Sequence, residues 1–306
     1  MRSPDGRVAR LAVYNKRGLQ PRGVMDLRAR LQESESHLPV VVVAPYLGPA
    51  VRERLAEFDM GFVDLTGNVR VALGSPGLFI DARGADVNPD REARTSRSLR
   101  GAKAGRIVRT LIDRKEPPGV RELAETIGVN AGYVSRVMTL LDRQALVERE
   151  GRGRIVSVDW PRLLGRWVQD APLSSRGRQT MCLEPRGLAA LTARLKQWGP
   201  RYAVTGTLAV SALAPVAAAH LAVVYVDDAD EAVPELDLGI TARGANVMLI
   251  EPDDDNVYAG STLRDHMRVV AVSQAAADLL TSPGRGPAEA DALITWMRAN
   301  EDVWRA

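Results

Sequence analysis

Val120–Val158 reads VRELAETIGVNAGYVSRVMTLLDRQALVEREGRGRIVSV, and two helical periodicities meet in it across one very short turn. Val120, Leu123, Ala124 and Ile127 recur at i, i+3, i+4 and i+7, Gly128 supplies a C-terminal stop, and Asn130 is placed to cap the next helix. Val134, Val137, Met138 and Leu141 then form one apolar stripe. They leave Gly132, Arg136, Thr139 and Arg143 on the opposite face, flanked by Tyr133 and Ser135. The spacing predicts a helix-turn-helix whose second helix runs over 131–144. Leu146, Val147 and Glu148 open a strand, Gly151, Arg152, Gly153 and Arg154 make a tight basic tip, and Ile155 to Val158 return. A hairpin over 147–158 therefore presents Arg149, Arg152 and Arg154.

A helix with a small residue near its start and Arg, Ser, Thr and Tyr on its outer face has the chemistry needed in the major groove of duplex DNA. A small residue allows close approach, Arg makes bidentate contacts to guanine, and hydroxyl and amide groups reach phosphates or base edges. Helix, helix, helix and hairpin in that order resembles the winged-helix domain of bacterial regulators such as the IclR and MarR groups. The resemblance implies a sequence-specific double-stranded DNA-binding protein, with Asn130, Gly132, Tyr133, Ser135, Arg136, Thr139 and Arg143 at the groove. Arg149, Arg152 and Arg154 would hold the adjacent backbone. Regulators of this kind use two half-sites, so a homodimer is expected.

Charge is distributed in keeping with that expectation. The 306 residues are 45% hydrophobic and 26% charged, an ordinary globular composition long enough for two or three domains. Residues 91–180 hold 19 Lys or Arg against 10 Asp or Glu, whereas residues 181–306 hold 10 against 17. The positive excess coincides with the helix-turn-helix, as an electrostatic footprint on nucleic acid requires. Just upstream, Arg91, Arg94, Arg97, Arg100, Lys103, Arg106 and Arg109 repeat every third residue. Arg100, Lys103 and Arg106 are accordingly expected to reach phosphates. The opposite charge of the last segment raises the expectation that it shields the basic centre until DNA or a ligand arrives. The lone Cys182 excludes a disulfide framework and a Cys-rich zinc site. No signal peptide and no run of 18 apolar residues is found, so the expected place is the cytoplasm, away from any membrane.

Residues 1–88 alternate strand and helix: a strand over 8–14, a helix over 23–31, an apolar run over 39–44, a helix over 51–58 and a strand over 61–65. This order resembles the later half of the restriction-endonuclease-like fold. Active members bear Glu-x-Lys on the preceding strand and an upstream Asp, which hold a divalent metal at the scissile phosphate. The matching place reads Tyr14, Asn15, Lys16, so only Lys16 and the distant Asp5 remain. A degenerate, non-catalytic core is expected, with a metal-dependent DNA nuclease as the alternative. Asp64, Gly67 and Asn68 fit a turn closed by an Asx hydrogen bond and a positive-φ glycine.

Residues 181–306 read as a further α/β domain, entered after a basic linker over 89–101 and the winged helix over 102–172. Thr205-Gly206 and Asp227-Asp228 faintly match a nucleotidyltransferase layout, but adjacent aspartates do not aim to one side of a strand. Asp253, Asp254 and Asp255 fit a solvated loop, and His37, His220 and His266 have no ligand spacing. No serine elbow, P-loop or dinucleotide fingerprint occurs. No catalytic residue, metal or cofactor is therefore expected, and the chain is expected not to be an enzyme. Gln274, Asp278-Leu279-Leu280 and residues 284–290, with Val43–Tyr46 and Asp64–Asn68, resemble the AbiEi-like antitoxins of type IV toxin–antitoxin systems. That resemblance implies a winged-helix repressor able to bind its own promoter, and leaves an antitoxin role as a further alternative. Together these expectations describe an α/β multidomain chain: an endonuclease-like core, a central winged helix-turn-helix, and a C-terminal α/β domain for dimerisation or for sensing a small-molecule or protein effector.

Overall fold

The computed structural model describes residues 7–16, 18–33, 38–75, 77–88, 98–150, 154–216 and 218–306. The protein is mixed α/β with three sheets of five, seven and two strands. It divides into two compact units, residues 1–97 with 139–146, and residues 98–138 with 147–306. Among the described residues no helix is long and apolar enough to cross a membrane.

In the first unit β1 (Ala12–Asn15), α1 (Pro21–Gln32), β2 (Val40–Ala44), α2 (Pro49–Glu57), β3 (Gly61–Asp64), β4 (Val69–Leu73) and β5 (Leu78–Ala82) follow one another. The sheet order is β1-β2-β3-β4-β5, parallel through β3 and antiparallel thereafter. Proline opens both helices, where its missing N–H costs nothing. The period-2 alternation of β2 sends Val42 and Ala44 into a core with Val24, Leu27, Leu47, Val51, Leu55 and Phe62, while Val41 joins Val71 and Leu73 in a second cluster. Each such side chain contributes about 1.5–3 kcal/mol on full burial. The first strand is shorter than its apolar run suggests, beginning at Ala12 rather than Val8. Strands β4 and β5 extend the sheet beyond the last element expected from the sequence.

The second unit begins with α3 (Ala102–Asp113) and α4 (Val120–Thr126). Helix α5 (Ala131–Arg143) follows, with its last residues assigned to the first unit, and then the hairpin β6 (Val147–Glu150) and β7 (Arg154–Val158). Next come α6 (Trp160–Asp170), β8 (Gly177–Leu183), α7 (Leu188–Leu195), β9 (Tyr202–Thr205), α8 (Gly206–Val210), β10 (Ala222–Val226), α9 (Ala229–Glu235), β11 (Gly239–Ile240) and β12 (Val247–Pro252). Strands β13 (Thr262–Arg264) and β14 (Met267–Val269) precede α10 (Val272–Leu280), α11 (Gly286–Ala299) and α12 (Glu301–Trp304). The seven strands are ordered β11-β8-β12-β10-β9-β14-β13. Both β9 and β10 are buried along their whole length, as central strands covered on two faces must be. Strand β8 starts at Gly177, ahead of the boundary expected at residue 181, and pairs with β12 over six residues.

Helix α10 packs against α3, α6, α8 and α11. It joins the three-helix segment to the seven-stranded sheet through polar groups as well as apolar ones. Arg109 of α3 is 2% exposed. Its Nη1 donates to Gln274 Oε1 at 2.6 Å and its Nη2 to the Ala259 carbonyl at 3.0 Å. Gln274 Nε2 passes the chain on to Asp278 Oδ1 at 2.8 Å. Asp278 also accepts from the hydroxyls of Thr205 (2.8 Å) and Tyr225 (2.9 Å), and Arg176 Nε lies 3.1 Å from its Oδ1. Burial pushes the Asp278 carboxyl above the usual carboxylate range, opposed by Arg176 and the three donors. The end of α3 is tied as well: Arg305 Nε donates to the Ile112 carbonyl at 2.9 Å and Ala306 N to the Asp113 carbonyl at 2.9 Å. Apart from residues 139–146, the segments expected as a central and a C-terminal domain thus lie within one unit.

Candidate nucleic-acid interface

Helix α5 begins at a cap that its sequence supplies. Asn130 Oδ1 accepts from Gly132 N at 2.9 Å, and the Asn130 carbonyl accepts from Tyr133 N (2.9 Å) and Val134 N (3.1 Å). A Cβ on Gly132 would stand 3.0 Å from Asn130 Oδ1, so glycine leaves this turn its room. Val134, Val137, Met138 and Leu141 are buried, while Asn130, Gly132, Ser135 and Arg136 are exposed and Tyr133 is half-buried. The Arg136 guanidinium sits 5.8 Å from the centre of the Tyr133 ring, at the outer limit of a cation–π contact. Thr139 is half-buried and Arg143 exposed, and both belong to the 139–146 segment of the first unit.

The hairpin pairs Val147 with Val158 and Glu148 with Ser157, then shifts register between Glu148 and Arg149. Such an irregularity bends the strand and strengthens its twist. Val147 and Ile155 are buried beneath it. Arg154 has a 79% exposed side chain and lies 3.4 Å from Glu150, an exposed pair worth little to stability. Arg149 is half-buried, and Glu148 and Glu150 share the exposed surface with Arg154, so the described hairpin is less basic than its tip suggests. Arg152, with Gly151 and Gly153, lies outside the described residues.

The described part of the basic ridge before α4 is turned largely inward. A three-residue step lags the helical period by about 60° per repeat. Successive cations therefore leave the solvent face: Lys103 is exposed, Arg106 is half-buried and Arg109 is buried. Arg106 Nη2 binds Asp254 Oδ2 at 2.6 Å, and its side chain is 38% exposed. Arg100, though exposed, donates Nε to the Asp170 carbonyl at 3.0 Å. Arg106 is thus engaged inside the protein rather than offered to a phosphate, and among the described residues only Lys103 of the three is without such a tie. Arg91, Arg94 and Arg97 lie outside the described residues.

The other marked residues have structural partners. Asp64 accepts from Leu47 N (3.0 Å), Thr66 N (2.9 Å), Thr66 Oγ1 (2.7 Å), Asn68 N (3.0 Å) and Asn68 Nδ2 (2.9 Å), and Gly67 has φ +93°. Burial alone would raise this carboxyl. The Asn68 and Thr66 side chains and the Leu47 and Asn68 amides outweigh it and hold it below the usual range. Tyr14 packs against the first core, Asn15 is exposed, Lys16 is half-buried, and Asp5 falls outside the described residues. Asp227 is bound by Arg201, and Asp228 caps α9 by accepting from Asp230 N and Glu231 N. Asp253–Asp255 is not a purely solvated loop: Asp254 binds Arg106 and caps a short turn at Asn256, and Asp255 pairs with Arg201. His220 and His266 are exposed, and His37 lies outside the described residues. Burial pushes the Cys182 thiol up, away from the reactive thiolate. Among the described residues no cluster of three His, Cys, Asp or Glu could hold a metal ion.

Gln274 and Asp278 stand out in the sequence only as part of a motif, and their place in the buried hydrogen-bonded chain comes from the fold. Arg176 carries no sequence signal, because a lone Arg between two elements has no pattern to announce it. No protein-family model matches the chain, and no curated protein and no solved structure matches it.

Proposed function

We propose that this protein is a sequence-specific, double-stranded DNA-binding transcriptional regulator of the winged-helix kind, acting as a homodimer on paired half-sites. Its main support is the capped start of α5, where Gly132, Ser135 and Arg136 stand exposed above a fully apolar inner stripe. A helix presented in this way can enter the major groove with Arg136 directed at a guanine edge and Ser135 at a phosphate. Lys103 and Arg154 supply cations for the backbone. Arg106 is omitted from that set while Asp254 holds it, and the five-stranded N-terminal sheet is assigned a supporting, non-catalytic role. The resemblance to AbiEi-like regulators points the same way, toward binding at the protein's own promoter.

Binding of the full chain to its own upstream DNA and to shuffled DNA of equal length, across a salt series, tests this. Preference for the upstream sequence is expected, with affinity falling steeply as salt rises. Arg136→Ala should cost about 1–3 kcal/mol on the preferred site and narrow the preference, whereas Arg154→Ala should weaken both DNAs alike. Equal affinity for every sequence, unchanged by Arg136→Ala, rules the regulator out.

A further inference from the structure

Strand β5 closes one edge of the five-stranded sheet, with β4 on its inner side and, among the described residues, no strand on its outer side. Its ladder to β4 runs without a bulge from Val69 opposite Ala82 to Leu73 opposite Leu78. An edge strand offers a row of unpaired N–H and C=O groups to any passing strand. Proteins usually blunt such an edge by shortness, a bulge, a proline or a charge, lysine above all. The other edges of the two larger sheets follow that rule: β1 has four residues and runs into Lys16, β11 has two, and β13 has three and ends in Arg264. Strand β5 has five residues, with no proline and no lysine among them. Its one charge, Asp81, is met by Arg70 at 3.0 Å. Four of the five are exposed, Phe79 to 65% and Ile80 to 39%.

Each face of the strand continues a different layer of the sheet. Ile80 stands opposite Val71 and Leu78 opposite Leu73, on the side of the second core cluster, against which Leu78 packs. Phe79 stands opposite Ala72 on the other side, with the Arg70 guanidinium 5.6 Å from its ring centre. A second copy of the chain brings the same strand to this edge. Antiparallel pairing about a two-fold axis normal to the sheet keeps each face with its like and sets one residue on the axis. With Asp81 there, two carboxylates would face each other, and with Ile80 there, each Asp81 would face a phenyl ring. With Phe79 on the axis the two rings meet on one face, and on the other Leu78 of each copy meets Ile80 of its mate. Asp81 then falls opposite Gly77. That register alone matches apolar with apolar on both faces and brings no like charges together.

We propose that this chain dimerises edge to edge through β5, antiparallel about Phe79, so that two five-stranded sheets become one continuous sheet. Leu78 and Ile80 carry the second core cluster across the axis. The regulator reading calls for two copies on paired half-sites, and as the source of that dimer the interface rests on it. The pairing itself is measured without DNA.

Sedimentation velocity of the full chain from about 1 to 200 µM supplies the test. A strand pair of this length lies at the small end of specific interfaces, so a monomer–dimer equilibrium is expected, with no larger species because a two-fold contact closes on itself. Phe79→Lys sets two ammonium groups at the axis and should weaken the dimer about thirtyfold or more. Its melting temperature should stay at the parent's, since the side chain it replaces is exposed. Disulfide trapping under mild oxidation reads the register, with the buried Cys182 as an inert background. Phe79→Cys should give a covalent dimer. Asp81→Cys should not, because its two copies would stand about 13 Å apart along the strands, beyond disulfide reach. A chain that stays monomeric throughout, a dimer indifferent to Phe79→Lys, or equal trapping at residues 79 and 81 would each overturn the proposal, and a monomer would leave the edge to a strand of another protein. A β5 dimer with no preference for any DNA keeps the interface and counts against the regulator. Selective DNA binding by a chain that stays monomeric does the reverse.

Discussion

Asp64 shows how one carboxylate can organise a whole turn. Five donors converge on it, and Asn68, itself fully buried, extends the network to Gly84 N at 2.8 Å and the Ala85 carbonyl at 3.0 Å. Gly84 lies so close to Thr66 that a Cβ would overlap its carbonyl, which fixes glycine at that position. Because the folded carboxyl is held below its ordinary value, its contribution to stability is present above about pH 4 and is lost as pH falls through the folded value. Asp64→Asn turns an amide toward donors that need acceptors, at a cost of about 2–4 kcal/mol near neutrality. That cost should be constant above about pH 4 and shrink as pH falls below it. All five tryptophans lie in the second unit. Hydrogen exchange of the amides in β3 and β4, rather than fluorescence, is therefore the suitable measurement. A penalty independent of pH would show that the carboxyl is not ionised in the turn.

At the scale of elements, legibility followed the distance over which a pattern acts. Helix α5 was legible because Val134, Val137, Met138 and Leu141 encode their face within two turns, and a cap and a glycine stop lie between it and α4. Asn130→Ala removes that cap and should lower stability by about 1 kcal/mol, visible as faster hydrogen exchange in the first turn of α5. Strand β8 was not legible: RQTM is polar, and the strand is held by its β12 neighbour rather than by an apolar alternation of its own. Helix α9 hid behind Pro234. The inward turn of Arg106 and Arg109 was equally hidden, since their partners Asp254 and Gln274 stand 148 and 165 residues away. A spacing of three shows that a basic ridge rotates, and only the fold decides which of its members meets water.

Across the whole molecule the two charged halves of the sequence meet at identifiable places. Residues 91–180 carry the basic excess and residues 181–306 the acidic one, and Arg106–Asp254 and Lys115–Asp302 join them within the second unit. The two segments are thus joined by discrete ion pairs, and the Arg106–Asp254 pair is the one whose opening tests whether the acidic segment shields the basic one. Asp254→Asn is the change to make, because Asn caps as well as Asp and keeps an acceptor for Asn256 N, while its charge on Arg106 is gone. Deleting residues 181–306 would instead strip the apolar cover from α3 and unfold what it was meant to expose. If Arg106 is freed to reach a phosphate, affinity for any duplex should rise about two- to fivefold at low salt. The slope of log affinity against log salt should steepen by about 0.9, one further phosphate's worth. A matching experiment on Arg106→Gln in the Asp254→Asn background should return both quantities to the parent values. Unchanged affinity and slope in Asp254→Asn would mean that the Arg106 pair only fastens α3, and that opposite charge in the two halves of the chain is a device of folding alone.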